Sequence, residues 1–142
     1  MPLEFLSPLH KASRQISLYL EAHTRELGVS PIEGHLLTYL RSYAPSPVGE
    51  LVRIFGIKQS TLTSMLDRLE DAGLVRRETN PDDRRSFLIQ VSPEGRKLAG
   101  RLNRRIEILE DEIRSRVNAR DVTGFRAVMN AMGEITGVDL RQ

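Results

Sequence analysis

The most constraining stretch of the chain is residues 48–91, where two short helical patterns meet at one glycine, end at another and run into two strands. Val48, Leu51, Val52 and Phe55 recur at helical intervals and stop at Gly56. Ile57 leads into a second helix, about 59–72, with Leu62, Met65, Leu66 and Leu69 on one face and Gly73 as its stop. Leu74–Thr79 has the make-up of a strand, and Asn80-Pro81-Asp82-Asp83-Arg84-Arg85 is turn chemistry. In the returning strand Phe87, Ile89 and Val91 alternate with Ser86, Leu88 and Gln90, so one face is mostly apolar.

The flanks read as helices. Leu6, Leu9, Ile16, Leu20 and Leu27 predict a helix over about 8–27, closed by Gly28. Ser30-Pro31-Ile32-Glu33 opens a second in the favoured way, with Ser as cap, Pro at the first helical position and an acid in the first turn. That helix reaches Tyr43, and Ala44-Pro45-Ser46-Pro47 breaks the chain. Ser92-Pro93-Glu94 starts a long helix whose apolar stripe, Leu98, Leu102, Ile106, Leu109, Ile113 and Val117, extends it to about residue 117. After a polar break at 118–121, a last helix carries Val122, Phe125, Val128, Met129, Met132 and Ile135. The expected fold is mainly α (α+β), in the order helix, helix, short helix, short helix, strand, strand, long helix, helix. At 142 residues this is one structural domain.

Composition removes several functions. Cysteine is absent, which excludes disulfides, thiolate catalysis, iron–sulfur ligation and sensing by thiol oxidation. Three well-separated histidines have no i,i+4 ligand spacing, so no metal and no cofactor are expected. Glycine-rich phosphate loops, HExxH and convergent carboxylates are missing, which argues against an enzyme. No apolar run approaches the roughly 20 residues that cross a bilayer. Met1–Lys11 has no basic leader, so no membrane contact and a cytoplasmic location are expected. The formal charge of +2 is small, but its placement is informative. Residues 1–46 hold 4 basic and 4 acidic groups, 47–101 hold 10 and 8, and 102–142 hold 7 and 7. The whole excess lies in the middle segment, 47–101, which becomes the place to look for a polyanion site.

Helix, tight turn, helix and Arg-tipped ribbon form a winged helix-turn-helix pattern. Docking the apolar face of the second helix leaves Gln59, Ser60, Thr61, Thr63, Ser64 and Arg68 outside. Amides, hydroxyls and guanidinium groups reach base edges in the major groove, which admits one helix. Lys58 precedes the helix amino end, whose open N–H groups favour an anion. Arg84 and Arg85 stand at the ribbon tip, positioned for a neighbouring minor groove. Asp82 or Asp83 is expected to hold the turn or an arginine in place.

Val48–Glu70, Ala72-Gly73-Leu74-Val75 and, above all, PDDRRSFLIQVSPEG together resemble the MarR family of bacterial transcriptional regulators. The resemblance covers essentially the whole chain. It implies that Gln59, Ser60, Thr61, Thr63 and Ser64 match recognition-helix positions, with Arg68 further along. It also implies that Asp83 and Arg85 are the wing's acid–arginine pair. One departure is Ser64, where many relatives carry an arginine beside the recognition-helix threonine. Homodimers on pseudo-palindromic double-stranded DNA, often repressing and released by a small aromatic or amphipathic ligand, are the implied mode. The alternatives are an activator of the same fold or a nonspecific architectural DNA-binding protein, the latter disfavoured by near-balanced charge.

A single copy of this chain cannot present two reading helices to successive grooves, about 34–36 Å apart, whereas a two-fold dimer can. Phe5, Leu6, Leu9, Val122, Phe125, Val128, Met129 and Ile135 supply the expected interface. Residues 1–30 and 118–142 are then dimerisation helices, 31–92 the DNA-binding lobe with its wing at about 74–91, and 93–117 the connecting helix. The resemblance places a small-molecule effector pocket near the first, second and fifth helices, where His10, Arg14, His23, His35 and Tyr39 are candidates.

Overall fold

The computed structural model describes residues 2–138. The helices are α1 (Leu6–Glu26), α2 (Pro31–Tyr43), α3 (Val48–Phe55), α4 (Gln59–Asp71), α5 (Pro93–Arg114) and α6 (Ala119–Thr136). The strands are β1 (Ser46–Pro47), β2 (Val75–Thr79) and β3 (Phe87–Val91), arranged β1-β3-β2 with both pairings antiparallel.

Local signals explain most boundaries. Ser30 Oγ accepts from the Glu33 amide at 3.2 Å, and Glu33 Oε1 accepts from the Ser30 amide at 3.0 Å, a reciprocal cap on α2. Gly56, at φ +60°, ends α3, and Gly73, at φ +74°, turns the chain out of α4 into β2. Asn118 and Asp121, expected only as a break, form a second reciprocal cap and open α6 at Ala119. Accordingly α5 stops at Arg114, short of the expected 117, because the chain must leave the helix to reach that cap.

Two features of the sheet differ from expectation. Ser46–Pro47 does break the chain after α2, but it also pairs with Ile89 and Leu88 as a third strand. Two residues have no periodicity to read, and a proline is tolerated because this strand is at the sheet edge. Phe87 is 49% exposed although Ile89 and Val91 on the same face are buried. It pairs with Thr79 at the far end of the ribbon, beyond the reach of the core.

That core joins Leu36, Leu37 and Leu40 of α2 to Leu51 of α3, the inner face of α4, Val75, Ile89, Val91 and Ala99. Gly34 lets α2 come close: a Cβ there would stand 2.7 Å from Leu102 Cδ2 and 3.2 Å from Thr24 Cγ2. Gly95 is required more strictly, since its Cβ would lie 2.1 Å from the Leu74 carbonyl oxygen. Ser92 ties the same corner, its amide donating to Leu74 O at 3.0 Å and its hydroxyl to Gly73 O.

The chain divides into two compact units, Met1–Ile106 and Glu107–Gln142. The boundary falls inside α5, because residues beyond Leu102 contribute nothing to the core: among the described residues 107–138 none is buried. The expected 118–142 segment extends past the described residues, as does Met1 at the other end. Among the described residues no helix is long and apolar enough to cross a membrane.

Candidate nucleic-acid interface

Helix α4 sorts its side chains cleanly. Leu62, Met65, Leu66 and Leu69 are at most 3% exposed, while Gln59, Ser60, Thr61, Thr63, Ser64 and Arg68 face solvent. The helix begins at Lys58 with no side-chain cap, and its first ladder bond runs from Leu62 N to Lys58 O at 3.0 Å. Helix geometry therefore leaves the amides of the first turn pointing outward beside the exposed Lys58. Ser64 Oγ donates to Ser60 O at 3.1 Å, so its hydroxyl proton is committed to the helix while its lone pairs stay open. Arg68 Nε lies 3.4 Å from Glu33 Oε2, which ties α4 to the carboxylate that caps α2. Most of the Arg68 side chain nevertheless remains in solvent, 61% exposed.

The ribbon tip is organised by short-range bonds. Asp83 Oδ1 accepts from the Arg85 amide at 3.1 Å and from Arg85 Nε at 3.3 Å. Asn80 Oδ1 accepts from the Asp82 amide at 3.0 Å, so Asp83 is the acid that holds the arginine and Asp82 belongs to the turn. Arg85 is 93% exposed despite its tether, and Arg84 beside it is also exposed. A guanidinium held at Nε keeps its terminal nitrogens free in a defined direction, which suits it to a groove or a phosphate.

One arginine at this site escaped sequence reading. Arg77, on β2, donates from Nη2 to Asp67 Oδ1 and to the Thr63 carbonyl at 3.4 Å. Its Nη1 lies 3.9 Å from Glu70 Oε1, and its amide donates to Glu70 Oε2 at 3.1 Å. These bonds join the wing to the reading helix. The partners are 7, 10 and 14 residues apart on different elements, so no periodicity announces them.

The expected effector residues lie on α1 and α2. His10 and Arg14 are exposed on α1, and the ring of His23, further along it, sits 5.8 Å from that of Tyr19. His35 and Tyr39 instead join an aromatic cluster between α2 and α3. Their rings stand 5.1 and 5.7 Å from Phe55, and the Tyr39 hydroxyl donates to Glu50 at 2.8 Å. The residue as a whole is exposed, but packing of its ring against this cluster desolvates part of it and lowers the His35 pKa from its ordinary 6.5. A cavity of about 320 Å³ is lined by other residues: Glu26, Leu27, Glu94, Lys97, Leu98 and Arg101. Of the expected interface residues, Phe5, Leu6, Phe125 and Ile135 are 46–85% exposed, and Leu9, Val122, Val128 and Met129 are half-buried.

A three-stranded ribbon packed behind a two-helix reading unit defines a helix-turn-helix regulator, and comparison with known proteins agrees. The MarR family model matches residues 29–87. The regulator PecS of Dickeya dadantii (strain 3937), a helix-turn-helix transcriptional regulator, is 35% identical over 132 residues, 90% of this chain and 79% of that protein. In fold, the S. aureus MepR–DNA complex gives a TM-score of 0.82 at 16% identity, covering 96% of this chain and 100% of that one. A mutant E. coli MarR complexed with operator DNA gives 0.75 at 22%, covering 89% and 91%. The chain belongs to the MarR family: it is a DNA-binding transcriptional regulator and not an enzyme.

Proposed function

We propose that the protein is a cytoplasmic homodimer that represses transcription from a pseudo-palindromic operator and is released by a small aromatic or amphipathic ligand. The observation that carries the DNA reading is the sorting of α4, whose apolar face is buried while uncharged hydrogen-bonding groups line the outside. Gln59, Thr61 and Thr63 read base edges; Lys58, Ser60 and Ser64 meet the backbone; Arg84 and the tethered Arg85 enter the flanking minor groove. The tether of Arg68 to Glu33 makes it a brace for α4 whose free nitrogens reach phosphate. Exposed Phe5 and Leu6 in the first unit, and Phe125 and Ile135 in the second, supply apolar surface for the two-fold partner.

Selection of bound fragments from the source genome, followed by gel shifts at fixed salt, tests this reading. Preference for the selected duplex over random duplex exceeds about tenfold if the protein is a specific regulator; a smaller ratio favours the architectural alternative. Thr63→Ala costs about 1 kcal/mol and relaxes preference at one base position. An unchanged preference in a folded Thr63→Ala protein removes that contact from the proposal. Loss of the shifted band on adding aromatic carboxylates establishes inducibility.

A further inference from the structure

A helix that faces a polyanion is expected to be basic or neutral, yet α4 is acidic. Between Gln59 and Asp71 it carries Asp67, Glu70 and Asp71 against a single base, Arg68, which is already paired with Glu33. Asp67 continues the outward row of Ser60, Thr63 and Ser64 by one helical turn. It is 58% exposed, so its charge stands at the surface offered to a phosphate backbone. Glu70, on the next position of the same side, is 41% exposed.

We propose that Arg77 is an electrostatic mask: it neutralises Asp67 and Glu70 so that an acidic reading helix can approach DNA. One guanidinium touches both carboxylates and the Thr63 carbonyl, and its side chain is only 23% exposed, so it is an internal counter-charge and not itself a phosphate ligand. Without it two carboxylates face a backbone that carries one negative charge per roughly 1.7 Å of duplex. Like charges at that range repel strongly at low salt and weakly once screened. The mask rests on the DNA-binding reading above and adds a residue that sets how strongly, not which sequence, the helix binds.

The test uses the full-length protein with the genomically selected duplex and a random duplex, over a series of salt concentrations. Arg77→Gln binds both about tenfold or more weakly at low salt, and the deficit narrows as salt rises. Adding Asp67→Asn and Glu70→Gln to that variant restores affinity to within about threefold, because the charges to be masked are gone. Asp67→Asn with Glu70→Gln alone, which keeps Arg77, binds at least as tightly as the parent and covers the case in which Arg77→Gln does not fold. A triple variant as weak as Arg77→Gln, or an acid-free variant weaker than the parent, shows that these pairs only orient the helix and overturns the mask. If the parent binds neither duplex, the DNA reading falls with it; if it binds and Arg77→Gln is unchanged, only the mask falls.

Discussion

The reading lobe and the C-terminal unit are built from similar helices but solve burial differently. In the lobe, Leu36, Leu37, Leu40, Leu51, Leu62 and Leu66 are at most 1% exposed, and α2, α3, α4, β2, β3 and the start of α5 share one core. In residues 107–138 no described side chain is buried, and Phe125 and Ile135 are 60% and 85% exposed. The apolar side chains of α6 are as regularly spaced as those of α4, so the contrast is not one of pattern. It lies in whether several elements of the same unit close over the apolar face. The lobe closes a core of its own, whereas the C-terminal unit taken by itself closes none.

The largest effects come from setting one region against the other. Leu66→Ala lowers the free energy of unfolding by about 2–5 kcal/mol, read in denaturant melts, because it leaves a cavity in a closed core. Phe125→Ala combined with Ile135→Ala leaves no cavity and instead shifts light-scattering mass from twice the chain's 16.1 kDa to 16.1 kDa. A double variant that stays dimeric, or a parent that is monomeric, breaks the comparison.

Glycine substitutions sharpen it with opposite signs. Gly95→Ala forces its Cβ into the Leu74 carbonyl and costs about 1–3 kcal/mol in thermal melts. Gly124→Ala on α6 meets nothing within 4 Å and strengthens the helix by about 0.5–1 kcal/mol. Destabilisation by Gly124→Ala would mean that a partner packs closely at that position.

The smallest effect is a pH dependence at the exposed His35 of the lobe. Desolvation lowers the His35 pKa in the folded state, so the unfolded chain binds the proton more readily. Stability is full above 6.5 and declines as pH falls through 6.5 toward the lowered folded value. In paired urea melts above and below 6.5, His35→Gln loses stability less steeply than the parent; identical slopes would remove the effect.

The elements that were legible in the chain are those with local causes. Gly56 and Gly73 stop helices through positive φ, Ser30 and Glu33 cap α2 within four residues, and Asp83 reaches Arg85 two residues on. The inner face of α4 follows from its spacing alone, and with it the outward set from Gln59 to Ser64. β1 was not legible, because two residues joined to β3 across more than forty intervening positions carry no pattern. Neither was the placement of His35 and Tyr39, which look toward α3 and Phe55 because a helix face is chosen by what packs on it.

Local sequence thus determined the helices, the turn, the ribbon and the side chains that face outward from the reading helix, since caps, glycines and periodicity act over a few residues. Tertiary structure alone decided which charges remain free at that surface. Arg68 is tied to Glu33, and Arg77 to Asp67 and Glu70, between elements that meet only after folding. Coulombic pairing depends on distance in space and not on separation along the chain, so the charges of residues 47–101 acquire their meaning only in the fold.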